Sequence, residues 1–254
     1  MTPPSDAVGY VDATLRDLAP FPWGTAVGTD DLAAAAAALS EVGARVLEAL
    51  DARCARAALE ARSESPWDRL RAVLREAQRT PVGVVVGARN LWGDAPLAPD
   101  LVRRFVLCAV DSGVSRIRAT DPLNDPEALG PVARACEEAG AEFVPTLIIG
   151  PAPDISDARW IEEALAYAAL PGARTLCVSD GAGHLAPATL GTLVARVAEA
   201  TGPRASGSLS GSVARIRETP ESTAHSTKRR TRSGARGASP HRFRAPTTTP
   251  TGVR

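Results

Sequence analysis

The stretch Val11-Asp12-Ala13-Thr14-Leu15-Arg16-Asp17-Leu18-Ala19-Pro20 decides the fold class. It reads as an extended apolar run over residues 9–16 that delivers a cation and a carboxylate side by side at its end. An open nucleotide-binding sheet would follow its first strand with a glycine-rich phosphate turn. No glycine stands between Arg16 and Pro20. A polar pair at the C-terminal end of a first strand suits a closed barrel of parallel strands, whose sites gather at that face.

The pattern repeats outward from this stretch. Apolar runs at 45–50, 82–87, 114–119, 142–149 and 174–179 are short, rich in Val, Ile and Leu, and separated by amphipathic segments. That is the signature of parallel strands covered on both faces by helices. Ser65-Pro66-Trp67-Asp68 and Asp125-Pro126-Glu127 each supply an N-cap with Pro at the first helical position. Gly43, Gly113, Gly140 and Gly202 stand where a helix closes on a left-handed residue. Gly130-Pro131 predicts a kink or restart inside the helix that Asp125 opens. The fold class is therefore α/β, a (βα)8 barrel of the TIM type, truncated after about six βα units. A body ending at residue 202 is short against the roughly 250 residues of such barrels.

Composition changes after Gly202. Residues 203–254 carry eleven Lys or Arg and two acids, a net of +9, which cancels the −9 of residues 1–202. This segment is rich in Ser, Thr, Pro and Arg and nearly devoid of apolar residues, so it is read as a disordered basic tail. Its densest cluster, Lys228-Arg229-Arg230, raises a nucleic-acid-binding alternative, but Phe243 is the only aromatic residue near such clusters. No run of about 18 apolar residues and no basic-then-apolar N-terminus is present, so neither a membrane span nor a secretory signal is expected, and a cytoplasmic location is. Cys54, Cys108, Cys136 and Cys177 are scattered without CxxC spacing and read as small core residues rather than a zinc site.

Five segments together resemble a known family. They are Asp12-Ala13-Thr14-Leu15-Arg16-Asp17, Ser65-Pro66-Trp67-Asp68-Arg69-Leu70-Arg71, Arg89-Asn90-Leu91-Trp92-Gly93, Arg118-Ala119-Thr120-Asp121-Pro122-Leu123-Asn124-Asp125 and Asp180-Gly181-Ala182-Gly183. Their order and rough spacing over about residues 8–202 are similar to those of the pyruvate carboxyltransferase (HMGL-like) family. That family spans the carboxyltransferase domain of pyruvate carboxylase, the oxaloacetate decarboxylase alpha subunit, and the HMG-CoA lyase and isopropylmalate synthase branch. The Pro-Trp-Asp-Arg-Leu-Arg and Pro-Leu-Asn-Asp segments resemble the biotin-dependent branch most. The resemblance implies a divalent metal (Zn, Mn or Co), carboxybiotin brought by a biotin-carrier protein or domain, and a small 2-oxo acid substrate, pyruvate or oxaloacetate. It implies Asp17 as metal ligand, Arg16 as the cation facing an enolate or carboxylate, and Asp121 as a site acid. An Arg-Asp pair that only closes the barrel, and an Asp121 that only begins a turn before Pro122, remain open as structural alternatives.

The chain departs from the family at several of these positions. Leu18-Ala19-Pro20 replaces a segment with His and Gln, and Gly87 stands where the family has a substrate-binding Arg. Strand alternation puts residues 87 and 89 on one face, so Arg89 is expected to substitute as substrate-binding cation. Arg118 matches a family Arg but lies earlier in its strand, where a structural ion pair is expected. Ser179 takes the place of a carbamylated Lys ligand, and the sole lysine is Lys228. No His-x-His exists to complete a ligand set on a seventh strand; His184, His225 and His241 are isolated, and His184 is expected in a solvent-facing loop. The function read from the residues is a carboxyltransferase or oxaloacetate decarboxylase acting through a metal-stabilised enolate, impaired by the missing ligands. The alternative is an inactive paralogue that binds a carboxylate ligand or a partner subunit. Six strands alone leave strands one and six unpaired, which predicts self-association through the open edge.

Overall fold

The computed structural model describes residues 10–18, 27–91, 97–150, 157–180, 183, 185–202, 205–209 and 212–214. All lie in one compact unit, Met1–Glu218. In chain order the elements are β1 (Tyr10–Asp12), α1 (Thr14–Asp17), α2 (Thr29–Glu41), β2 (Val46–Leu50), α3 (Ala52–Arg62), α4 (Pro66–Glu76), β3 (Val82–Gly87), α5 (Pro99–Asp111), β4 (Arg116–Thr120), α6 (Pro126–Ala139), β5 (Glu142–Ile148), α7 (Asp157–Ala168), β6 (Leu176–Asp180), α8 (Pro187–Thr201), β7 (Ala205–Leu209) and β8 (Ser212–Ala214). β1 to β7 pair in sequence order and in parallel. β8 then runs antiparallel to both β7 and β1 and closes the ring.

The six βα units are present, but β1 and β6 are not left open. Val11 pairs with Val213 on one side of the ring and Cys177 with Ser206 on the other. The closing strands fall inside the segment read as tail. Ala205-Ser206-Gly207-Ser208-Leu209 has no apolar run to reveal it, because what it satisfies is waiting backbone N–H and C=O groups rather than a hydrophobic face. Residues 215–254, with Lys228, His225, His241 and Phe243, lie outside the described residues.

Helix ends follow their caps. Ser65 accepts from the Asp68 N–H at 3.3 Å and Asp125 from the Glu127 N–H at 2.9 Å, each ahead of a Pro at the first turn. Gly140 and Gly43 hold φ of 71° and 86°, where a Cβ would be strained. The break expected at Gly130-Pro131 does not occur: α6 runs through Pro131. The hydrogen bond that Pro131 cannot make would have ended on Glu127 in the first turn, so only the helix start bears the loss.

Alternation along the strands separates two interiors. Leu47, Val84, Val86, Ile117, Ala119, Phe143, Leu147 and Val178 join the helices in one continuous apolar layer. The opposite strand face, inside the barrel, carries Glu48, Arg116, Arg118, Thr146 and Cys177, all buried. An apolar shell therefore encloses a charged lumen. Cys54, Cys136 and Cys177 are buried as expected, whereas Cys108 is exposed on α5. No described helix is long and apolar enough to cross a membrane.

Candidate active site at the barrel mouth

Arg16 and Asp17 stand at the C-terminal end of β1, but on a helical turn rather than on the strand. The expected strand over 9–16 stops at Asp12, whose Oδ1 accepts the Thr14 N–H at 2.8 Å and turns the chain. The Asp17 N–H then bonds the Ala13 carbonyl at 2.8 Å, and buried Leu15 pins the turn to the core. From below, the Cys54 thiol donates to the Arg16 carbonyl at 2.9 Å, and burial pushes that thiol's pKa up. Nε and Nη2 of Arg16 both donate to Asp17 Oδ1, at 2.9 and 2.8 Å, while Nη1 donates to Glu48.

Glu48 is the residue that sequence reasoning missed. It lies in β2 at 1% exposure and takes a two-pronged contact from Arg118, Nε to Oε1 at 2.6 Å and Nη2 to Oε2 at 2.8 Å. Gly83 of β3 is in register with Glu48 on one side and Arg116 on the other, so Arg118, two residues further along β4, reaches across β3 to Glu48. Arg118 is thus the structural ion pair expected of it. The missed signal was a lone acid in the otherwise apolar Val46-Leu47-Glu48-Ala49-Leu50: a charge in a buried parallel strand requires a partner.

Arg89 and Asp121 form a second cluster at the rim. β3 ends at Gly87, so strand alternation does not extend to Arg89, and the expectation that 87 and 89 share a strand face fails. A Cβ on Gly87 would collide with the Asn90 carboxamide, which fills the space where a longer side chain would enter. Arg89 instead reaches outward: Nε donates to Asp121 Oδ1 at 3.0 Å and Nη2 to Asp125 Oδ2 at 2.5 Å. Asp121 is fully buried, and its other oxygen accepts the N–H groups of Leu123 and Asp125, at 3.2 and 3.1 Å. Asn124, at φ 52°, exchanges hydrogen bonds with the Ile148 backbone and reaches Glu163 on α7. The Asp-Pro-Leu-Asn-Asp segment therefore locks the β4–α6 loop onto β5 and α7. Among the described residues, no hydrogen bond or ion pair joins this cluster to the Arg16 cluster.

Asp180 ends β6 at 1% exposure, and its Oδ2 accepts the Leu185 N–H at 2.7 Å. His184, Gly181, Ala182, Trp92, Gly93, Ala19 and Pro20 lie outside the described residues. The described residues do not fit a divalent metal. Asp17 spends one oxygen on both N–H groups of Arg16, and among the described residues no three His, Cys, Asp or Glu side chains gather. The seventh strand reads Ala-Ser-Gly-Ser-Leu and offers no such side chain either.

No family model matches the chain. It is 29% identical over 192 residues to a pyruvate carboxylase subunit of Methanocaldococcus jannaschii, covering 76% of this chain and 34% of that protein. It is 30% identical over 191 residues to the 2-oxoglutarate carboxylase large subunit of Hydrogenobacter thermophilus, covering 75% and 29%. The chain thus spans about a third of the length of these curated relatives. The carboxyl transferase domain of Rhizobium etli pyruvate carboxylase, solved with pyruvate and biocytin, superposes with a TM-score of 0.68 at 24% identity, over 76% of this chain and 34% of that one. Over about three quarters of its length, then, the chain is a homologue of the archaeal pyruvate carboxylase subunit and of the 2-oxoglutarate carboxylase large subunit, with the fold of the pyruvate carboxylase carboxyltransferase domain.

Proposed function

We propose that the chain is a carboxyltransferase of the pyruvate carboxylase type that receives a small 2-oxo acid, pyruvate or oxaloacetate, at the mouth bearing Arg16. Support comes from relatives named for pyruvate and 2-oxoglutarate carboxylation and from a structural neighbour solved with pyruvate and biocytin. A biotin-carrier partner bringing carboxybiotin is the co-substrate that this homology implies. The observation that carries the reading is the anchoring of Arg16: Glu48, itself held by Arg118, fixes the guanidinium at the C-terminal end of the strands.

The chemistry needs such a cation. Loss of a methyl proton from pyruvate, or of CO2 from oxaloacetate, leaves an electron pair that spreads onto the carbonyl oxygen as an enolate. A positive group already in place at that oxygen lowers the barrier without reorganising. Arg16 can receive the enolate oxygen or the substrate carboxylate on its Nε and Nη2 edge. Arg89 and Asp121 define the β3–β4 side of the same end, where Arg89 is 37% exposed and within reach of an incoming acid. Because the described residues do not fit a divalent metal, Arg16 is the described cation placed to do this work, and turnover is expected well below that of a complete family site.

Oxaloacetate decarboxylation, followed by pyruvate release, tests the reading. Slow turnover that disappears in Arg16→Ala is expected; turnover unchanged in that variant would place the site elsewhere. A noncatalytic carboxylate-binding role is the second reading, favoured by the two carboxylates that already neutralise Arg16. Arg16-dependent binding of pyruvate with no turnover would select it.

A further inference from the structure

We propose that Asp17 is an internal occupant of the carboxylate-binding edge of Arg16, which an incoming carboxylate must displace, and that it is not a metal ligand in this chain. The proposal rests on the reading of the mouth as the 2-oxo acid site. A guanidinium binds a planar carboxylate best through two parallel N–H bonds. In Arg16 the Nη1 position is taken by Glu48, which is 1% exposed and clamped in turn by Arg118, so that contact is fixed. The remaining edge, Nε with Nη2, is the one a ligand would use, and it is filled by Asp17.

Asp17 fills it in a way that invites exchange. Both N–H groups converge on the single oxygen Oδ1, and among the described residues Oδ2 accepts no hydrogen bond. The Asp17 side chain is 31% exposed, against 12% for Arg16. Asp17 is the last residue of α1, so rotation of its side chain clears the edge while the backbone stays in place. A ligand carboxylate with two oxygens aligned would replace a forked one-oxygen contact by the stronger parallel pair. The same exchange explains why Asp17 serves poorly as a metal ligand: its charge is already matched by its neighbour.

The test is calorimetric titration of the full chain with oxalate, a planar 2-oxo acid mimic, in buffer containing a chelator. Asp17→Asn removes the competing charge with little change of shape and is expected to bind oxalate about two- to fivefold more tightly than wild type, the range that an exposed ion pair supports. Asp17→Ser gives the same direction if the first variant folds poorly. Asp51→Asn removes an equal charge nearby, from a carboxylate that pairs with Arg53 and caps α3, and is expected to gain less. Weaker or unchanged binding by both Asp17 variants, an equal gain in Asp51→Asn, or wild-type binding that requires added Mn2+ or Zn2+ and vanishes in Asp17→Asn would overturn the proposal. Failure of the underlying site reading shows elsewhere: Arg16→Gln would bind oxalate as well as wild type. No binding by any variant would overturn both.

Discussion

Glu48 faces two guanidinium groups with one carboxylate, and that imbalance sets what its loss would do. Glu48→Ala leaves Arg118, 7% exposed, as a buried and unpaired charge, and frees Arg16 from its anchor. Removing one partner of a buried ion pair costs about 3–5 kcal/mol. Urea unfolding of Glu48→Ala should show a loss of that size; a change under about 1 kcal/mol would mean that water reaches the lumen and screens the pair. Burial alone would raise the Glu48 carboxyl, but Arg118, then Arg16 and Arg116, hold it below the usual carboxylate range. A lowered folded pKa stabilises fully above the ordinary value and is lost as pH falls through the folded one, so this clamp weakens only in acid. The sequence made the place of Arg16 and Asp17 after the first strand and the ion pairing of Arg118 legible, because their neighbours form motifs. Glu48 sits in no motif, and its meaning depends on a residue 70 positions away brought across β3 by the pairing register. Arg89 was misread for a related reason: alternation holds only while the strand lasts, and β3 ends two residues too soon.

At the scale of elements, Glu64 ties three helices together. It follows the left-handed Ser63 at the end of α3 and bonds Arg62 of α3 at 2.8 Å, Thr29 at the start of α2 at 2.8 Å, and Arg69 of α4 at 2.8 Å. Partial burial would raise its pKa, but these partners, Arg62 and Thr29 ahead of Arg69, bring the carboxyl down to about 2. The sign follows from that depression. The contribution is complete above the ordinary value of 4.5 and disappears as pH falls towards about 2. Glu64→Gln should therefore be less stable than wild type at pH 7 and close to it near pH 2.5, as read from urea midpoints at the two pH values. An equal gap at both would show that packing, not charge, is what the residue supplies. Most elements were legible because buried parallel strands and capped helices carry local signals: β2 to β6 fall within two residues of the apolar runs that announce them. β1 was read too long because Thr14-Leu15-Arg16 continues the alternation of Val11-Asp12-Ala13, and only the Asp12 side chain, by capping the Thr14 N–H, reveals the turn.

At the scale of the whole molecule, the decisive feature is how the ring closes. Six strands account for the apolar pattern, yet the edges of β1 and β6 are covered by β8 and β7, two short strands that the hydrophobic pattern does not mark. Closure of this kind rests on backbone hydrogen bonds: five registered residue pairs join β6 to β7, and two join β8 to β1. A chain cut after residue 202 would lose all of them and expose two strand edges beside an apolar layer, a known route to association. A chain cut after residue 218 keeps the whole compact unit Met1–Glu218. Light scattering and urea unfolding of the two should therefore differ: the longer one is expected to unfold in a single steep transition, and the shorter one to associate or to unfold with a shallower slope, since less surface is buried to be exposed. Charge cannot rescue the shorter chain, because surface ion pairing is screened at physiological salt and offers no strand to the open edges. Identical behaviour of the two would mean that β7 and β8 contribute nothing, and that the six βα units alone hold Arg16, Glu48 and Arg118 in the arrangement on which the proposed chemistry depends.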